Sequence, residues 1–182
     1  MKNWGEYLPE GVQNLSEHGK ILPELRRNRM AELFNVERNI RIKTELSEVE
    51  EVRESDCETW VSGSLEIESK TFHCGIGHEH NFMLNIFEIK NFMCEIQNML
   101  DCLRSKKEYS FHFSNYEYNF EIKMDSVVAD EVVEVELWIN WGNYTNGEEA
   151  GYDIGIRFIV QREVLQKFYN SCNEEIHRVL KK

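Results

Sequence analysis

The sequence contains little proline, no long apolar run and few basic residues for its number of acids. Only two of its 182 residues are proline, and 41% are hydrophobic, so the chain is too apolar to remain disordered. No stretch approaches the roughly 18 consecutive apolar residues that a membrane helix needs, and the N-terminal residues do not form a signal-peptide pattern. The length fits one globular domain of about 100–200 residues.

The sequence motifs of common enzyme classes are also missing. The chain has no P-loop and no GxGxxG, GxSxG or HExxH pattern. We therefore expect a protein that is not an enzyme and that requires no cofactor.

The five cysteines form no CxxC pair. Because an odd number would leave one thiol unpaired in a secreted domain, reduced cysteines in a cytoplasmic protein are the simpler interpretation. A nucleophilic pair of Cys74 or Cys172 with His112 or His177 is an alternative. Cys172, however, lies on the apolar stripe of an expected helix, which favours a buried hydrophobic role.

The acidic residues are concentrated in two segments. The chain carries 33 acids and 21 bases, a net charge of −12. Residues 45–68 contain nine acids with Arg53 as their only base, and residues 115–153 contain ten acids with only Lys123. This balance argues against nucleic acid or an anionic membrane as direct partner and favours a basic one. A solvated acidic surface that maintains solubility is the alternative interpretation.

The domain organisation is simple, with no visible linker or internal repeat. Residues 1–36 are interpreted as an N-terminal extension, and residues 37–182 as a single domain. After Pro23, the apolar spacing predicts a short amphipathic helix in the extension. Its apolar residues are Leu25, Met30, Leu33 and Phe34.

Apolar periodicity predicts an α+β fold. Helical spacing predicts one helix around residues 89–103 and another around residues 164–180. Period-two alternation predicts a four-strand antiparallel meander over residues 109–161 and further strands near residues 61–67, 72–76 and 82–86. The prediction is an antiparallel meandering β-sheet with the two amphipathic helices packed on one face, plus the N-terminal helical extension.

Matching apolar rows predict the register of the meander. A two-residue turn at Ser114-Asn115 would pair Phe113 with Tyr116, and a longer loop would pair Ile139 with Ile154. On the solvent face this register gives the cross-strand contacts Glu121–Glu136, Glu136–Arg157 and Glu134–Lys123.

The solvent face of the meander has two interpretations. A ladder of cross-strand ion pairs would account for it without any partner. Trp138, an aromatic residue among these acids, has instead the character of a binding hot spot.

A histidine-rich segment is the most metal-like feature. His73, His78 and His80, with Cys74 between them, could hold zinc. The neighbouring glycines also fit an ordinary polar hairpin turn, which is the alternative.

The central and C-terminal residues resemble a known family. A helix containing Phe92, Met99 and Leu100 is followed by Phe111-His-Phe-Ser-Asn-Tyr-Glu-Tyr-Asn-Phe-Glu-Ile122, Val133-Glu-Val-Glu-Leu137, Ile156-Arg-Phe158 and a closing helix with Leu165 and Phe168. In this order the chain resembles the WapI-type immunity proteins over residues 57–180. Those are small cytosolic bacterial antitoxins encoded beside polymorphic or contact-dependent toxins.

The resemblance implies a protein that binds and neutralises a cognate toxin without turnover. Toxins of this class are often nucleases, whose basic active sites an acidic surface would complement. Neither nucleic acid nor a membrane is expected as partner, and the oligomeric state is left open. The candidate toxin-binding residues are Glu45, Glu48, Glu50, Glu51, Glu54, Asp56, Glu58, Glu117, Glu121, Glu134, Glu136 and Trp138.

Two other functions stay open. One is a metal- or ligand-binding module that uses His73, His78 and His80. The other is a structural subunit of a larger assembly that docks through residues 1–35.

Overall fold

The protein is described by a computed structural model over residues 30–51, 53–77, 82–140 and 153–181, except for the side chains of Glu50 and Glu51. Within these ranges the chain forms nine strands and two helices, and the strands make two antiparallel sheets. Neither of these helices is apolar enough along its length to cross a membrane.

The first sheet precedes the first helix in the chain. Its strands are β1 (Ala31–Phe34), β2 (Ile40–Glu51), β3 (Trp60–Ser69), β4 (His73–Ile76) and β5 (Phe82–Asn85). They lie in the order β1-β2-β3-β4, and β5 also pairs with β3. The chain then enters α1 (Ile86–Arg104), which begins with a capping box between Asn85 and Glu88.

The second sheet precedes the second helix. Its strands, β6 (Ser110–Ser114), β7 (Phe120–Val127), β8 (Val132–Asn140) and β9 (Asp153–Gln161), pair in chain order, and α2 (Arg162–Leu180) follows directly. This confirms the predicted four-strand meander and the two predicted helices. The β8–β9 register is also confirmed, since Ile139 lies opposite Ile154 and Leu137 opposite Ile156.

One hydrophobic core joins both sheets and both helices. The helices pack against each other, α1 contacts β5 and β6, and α2 contacts β1, β2 and β9. Each helix therefore touches both sheets. The prediction of a single sheet with both helices on one face was wrong in this respect, because alternation identifies the buried face of a strand but not its partners.

The sequence predicted a helix at the end of the N-terminal extension, but the last residues of that predicted helix form a strand. Residues 31–34 form β1, which pairs with β2 and buries Ala31 and Leu33. The spacing of Leu33 and Phe34 fits a helix locally, but pairing with β2 determines the conformation. Residues 1–29, which include the start of that predicted helix, lie outside the described residues, and the division at residue 36 stays a prediction.

The β6–β7 turn is longer than predicted. Phe113 lies opposite Ile122 rather than Tyr116, because residues 115–119 form the turn and β7 begins at Phe120. Tyr116 and Tyr118 are therefore exposed and not part of the sheet. The alternation of aromatic and polar residues continues through the turn, so the sequence alone does not show where β7 begins.

The side chain of one buried asparagine organises this turn. Asn115 Oδ1 accepts hydrogen bonds from the backbone N–H of Asn119 at 2.8 Å and of Phe120 at 3.2 Å. The backbone of Tyr118 has a φ of 53°, in the left-handed region. The asparagine thus replaces the backbone bonds that a tighter hairpin would make.

The β1–β2 turn is built in the same way. Asn35 Oδ1 accepts from the N–H of Asn39 at 2.9 Å and of Ile40 at 3.0 Å, and Arg38 has a φ of 54°. Both turns read N-x-E-x-N, at Asn35–Asn39 and Asn115–Asn119.

The two halves of the chain therefore share one plan. Each half starts with an asparagine-bonded hairpin, continues as an antiparallel sheet and ends in a helix of 19 residues. The buried positions of the helices also correspond: Ile89, Ile96, Met99 and Leu103 in α1, and Leu165, Cys172, Glu175 and Val179 in α2.

Candidate functional site

The outer face of the second sheet carries several acids of the second acidic segment. It is formed by the residues that alternate with the buried ones: His112, Ser114, Glu121, Lys123, Asp125, Glu134, Glu136, Trp138, Asn140, Asp153, Gly155, Arg157 and Ile159 among others. This alternation follows from the pleat of the strands, which turns successive side chains to opposite faces.

The ion pairs on this face differ from those predicted. Glu136 lies opposite Lys123 and Arg157, and it pairs with Arg157 as expected. Glu121 lies opposite Trp138 instead of Glu136, and Glu134 lies opposite Asp125 instead of Lys123. Relative to the prediction, the β7–β8 register is shifted by two residues, and the β6–β7 turn is longer. The shift gives both Glu121 and Glu134 a different partner from the predicted one.

Several of the carboxylates have local partners. Asp125 accepts a hydrogen bond from the Ser110 hydroxyl and lies 3.1 Å from Lys123 Nζ, and these contacts lower the pKa of Asp125 below its usual range. Glu121 Oε2 lies 2.6 Å from His112 Nε2. Glu134 has no ion pair with any described residue. Of the predicted cross-strand ion pairs only Glu136–Arg157 forms, and the ion pairs among the described residues do not neutralise every acid on the face.

Trp138 lies flat against a glycine of the next strand. A Cβ atom at Gly155 would lie 2.1 Å from the Trp138 ring, so only glycine leaves room for the ring in this position. The side chain remains 41% exposed. Beside it is a groove of about 200 Å³ lined by Ser114, Tyr118, Phe120, Glu121, Trp138, Asn140 and Asp153, which we call the Trp138 groove.

The β6–β7 turn adds exposed aromatic residues next to this groove. Tyr116 is 76% exposed and Tyr118 is 71% exposed. The ring of Tyr116 lies edge-on to the Trp60 ring, with 6.4 Å between the centroids. Because Tyr118 lines the Trp138 groove, the turn connects that groove to the start of β3.

The first acidic segment begins on β2. Glu45 is half-buried opposite Ser64, and Glu48 is exposed beside an irregularity in the β2–β3 register. The backbone of Glu51 pairs with Trp60, whereas the side chains of Glu50 and Glu51 lie outside the described residues.

The first acidic segment continues through the β2–β3 loop and ends with Glu66 and Glu68 on β3. Glu54, Asp56 and Glu58 are all exposed in the loop. The loop is fixed to the start of α1, where Asp56 pairs with Lys90 at 2.6 Å and the Thr59 carbonyl accepts from the Ile86 N–H at 3.0 Å.

The structure brings the two acidic segments together at the start of α1. Glu88 accepts a hydrogen bond from the backbone N–H of Tyr116, in the β6–β7 turn, and the Asp56 carbonyl accepts from the Phe87 N–H in the same helical turn. Trp60 and Tyr116 then complete the contact between the loops. Acids distant in sequence thus border one exposed aromatic surface.

The histidine-rich segment has only partial overlap with the described residues. His78 and His80 lie outside them. His73 lies opposite Glu68, and it forms with Glu66 and Glu68 a group whose ligand atoms lie within 4.8 Å of one another. Lys43 and Arg41 already bind these carboxylates, and their hydrogen bonds lower the pKa of Glu68. This arrangement is an ion-pair ladder between strands.

The candidate thiol nucleophiles are buried. Burial raises the pKa of Cys74 to about 11 and raises the pKa of Cys172 well above its usual range. A raised pKa keeps a thiol protonated and poorly nucleophilic. All five cysteines are free thiols.

A buried carboxyl on α2 is not among the residues that the sequence predicted. Glu175 is only 5% exposed, and its Oε2 accepts a hydrogen bond from the N–H of Leu46 at 3.1 Å. Burial raises its pKa to about 7, although the backbone N–H groups of Leu46 and Ala31 oppose this shift. The apolar stripe of α2 includes position 175, and that is the sequence signal that could have identified this residue.

Comparison with known proteins assigns the chain to a family. The fold and surface described above are those of a small α+β protein whose exposed aromatic and acidic residues lie on one sheet and its adjoining turns. The WapI-like immunity protein family matches residues 33–180, and the chain belongs to that family. No curated protein matches the chain. A solved structure of the plant transcriptional regulator PBF-2 has a TM-score of 0.44 and 11% identity over 84% of this chain and 82% of that one.

Proposed function

We propose that this protein is a cytoplasmic immunity protein that binds a cognate toxin domain, a nuclease, and inhibits it stoichiometrically. Membership of the WapI-like immunity family supports a toxin as partner. The observation that carries the finer proposal is Trp138, exposed on a sheet face between carboxylates and beside the exposed Tyr118.

The acidic residues support a basic toxin surface. Glu48, Glu54, Glu58 and Glu134 have no ion pair with any described residue. A nuclease must hold phosphate with basic side chains, and an acidic protein that covers them gains both fast association and specificity.

The proposed contact surface consists of the candidate residues that the structure places around the start of α1 and on the second sheet. Aromatic residues enriched at binding hot spots would lie at its centre, and the unpaired acids would lie at its rim. Rim charges mainly accelerate association, whereas a central tryptophan contributes more to the lifetime of the complex.

The first experiment pairs the protein with the toxin encoded next to its gene. Co-expression should restore growth, and calorimetry with a catalytically inactive toxin should give a one-to-one complex that weakens with salt. Absence of a complex and of growth rescue would refute the proposal.

Charge variants test the acidic surface separately. The double variant Glu54→Gln/Glu58→Gln should slow association by about 3- to 10-fold at low salt and have less effect at high salt. Glu108→Gln/Glu174→Gln, which changes two exposed acids outside both acidic segments, is the matched control. Equal effects of the two double variants would exclude the β2–β3 loop from the interface.

A further inference from the structure

The Trp138 groove combines aromatic surface with negative charge. Tyr118 and Trp138 contribute rings, Glu121 and Asp153 contribute carboxylates, and none of the described residues that line the groove is basic. On this face Lys123 forms an ion pair with Asp125, and Arg157 forms an ion pair with Glu136.

The two carboxylates flank the tryptophan from opposite sides. Glu121 lies directly across from Trp138 on β7, and Asp153 lies on β9, two residues from the Gly155 that the ring covers. Asp153 has no ion pair or side-chain hydrogen bond with any described residue, and Glu121 uses only Oε2, for His112.

A third acceptor borders the groove. Asn140, opposite Asp153 in the sheet, has a buried side-chain oxygen that receives no hydrogen bond within the described residues. Buried acceptors are nearly always paired in folded proteins, and Asn140 is one of the residues that line the groove.

We propose that the Trp138 groove receives an arginine side chain of the toxin. This inference rests on the proposed function and specifies its central contact. A guanidinium carries five donors in one plane, so it can stack on an aromatic face while it donates to carboxylates at its edge. A phosphate or carboxylate would be repelled here, and a lysine ammonium could not stack in the same way.

The chemistry of the groove can be tested with small probes. ¹⁵N-labelled protein is titrated with acetyl-Gly-Arg-Gly-amide and with the same peptide containing citrulline, which is planar but uncharged. The arginine peptide should shift the Trp138 indole and Gly155 amide signals and bind at least about tenfold more tightly than the citrulline peptide. Equal shifts, or no shift at these two residues, would overturn the proposal.

Substitutions connect the groove with the toxin. Trp138→Leu keeps an apolar cover over Gly155 but removes the aromatic face, and should weaken the toxin complex by at least about tenfold. Asp153→Asn is nearly isosteric and should weaken it by about 3- to 10-fold, whereas the control Asp130→Asn, on the β7–β8 turn, should not. Circular dichroism and urea unfolding verify that each variant is folded.

The outcomes separate this inference from the proposed function. A toxin complex that is unaffected by Trp138→Leu and Asp153→Asn would overturn the arginine contact and remove Trp138 from the contact surface, but would leave stoichiometric binding of a toxin intact. Failure of the wild-type protein to bind the toxin would instead overturn the proposed function, and with it the toxin as the source of the arginine.

Discussion

Replacement of Glu175 by glutamine should change how the stability of the protein depends on pH. Glu175 stands on the buried stripe of α2, at the position that Met99 occupies in α1. Its Oε1 receives no hydrogen bond within the described residues, and it borders an apolar cavity of about 60 Å³ in the core. Burial therefore favours the protonated carboxyl in the folded state.

The magnitude follows from the two pKa values. Burial raises the pKa of Glu175 from 4.5 to about 7, which corresponds to about 3 kcal/mol of free energy. The folded state holds the proton more tightly than the unfolded state. The stability that this provides is complete below pH 4.5, falls as the pH rises towards 7, and is lost above it.

The Glu175→Gln variant removes this titration. Glutamine can still accept from the Leu46 N–H but adds a buried donor, which costs about 1–3 kcal/mol at every pH. Relative to this variant, the wild-type protein should lose about 3 kcal/mol of unfolding free energy between about pH 4 and pH 8. Urea unfolding at several pH values, with equal m-values in both proteins, measures the difference.

The control is Glu174→Gln, which removes the adjacent exposed carboxyl of the same helix. Its stability curve should run parallel to that of the wild type. If the Glu175→Gln curve also runs parallel to the wild type, burial does not raise the pKa of Glu175, and the reasoning is refuted.

Three further predictions concern the turns, the tryptophan and the thiols. Asn115→Ala removes the side-chain oxygen that accepts from the N–H groups of Asn119 and Phe120, at a residue that is 1% exposed. It should lower the free energy of urea unfolding by about 2–4 kcal/mol. The control Asn91→Ala, on the exposed side of α1, should cost less than about 1 kcal/mol. Gly155→Ala should displace the Trp138 ring into solvent and shift tryptophan emission to longer wavelength; unchanged emission would contradict the packing described. A thiol reagent should react quickly only with the exposed cysteines, and with the buried ones only after unfolding. Fast labelling of a buried thiol in the folded protein would show that this cysteine is not in the hydrophobic core. The exposed cysteines are Cys57 and Cys94, and the buried ones are Cys74 and Cys172.

Much of the local structure could be predicted from periodicity. The apolar spacing of Ile89, Ile96 and Leu103 predicts α1, and strict alternation predicts β8 and its register with β9. Strand β2 was not predicted, although Ile40, Ile42 and Leu46 alternate with polar residues, because register irregularities after Leu46 interrupt the pattern.

The candidate surface was only partly predictable. The acids and Trp138 are visible in the sequence, and the exposure of Trp138 was expected correctly. The exposure of Tyr116 and Tyr118 was not, because it depends on a turn that one asparagine side chain stabilises. Asp153 and Asn140 gain their significance only from the strands that place them beside Trp138.

The sequence by itself determined the two helices, the second sheet, the buried face of each of its strands and the acidic character of two segments. These properties are local: they depend on residue types at fixed spacing and on charge along a short stretch. The tertiary structure decided that the strands form two sheets, that both acidic segments meet at the start of α1, and that Glu175 is buried with a raised pKa. Those features depend on which distant surfaces come into contact, and spacing along the chain does not encode that directly.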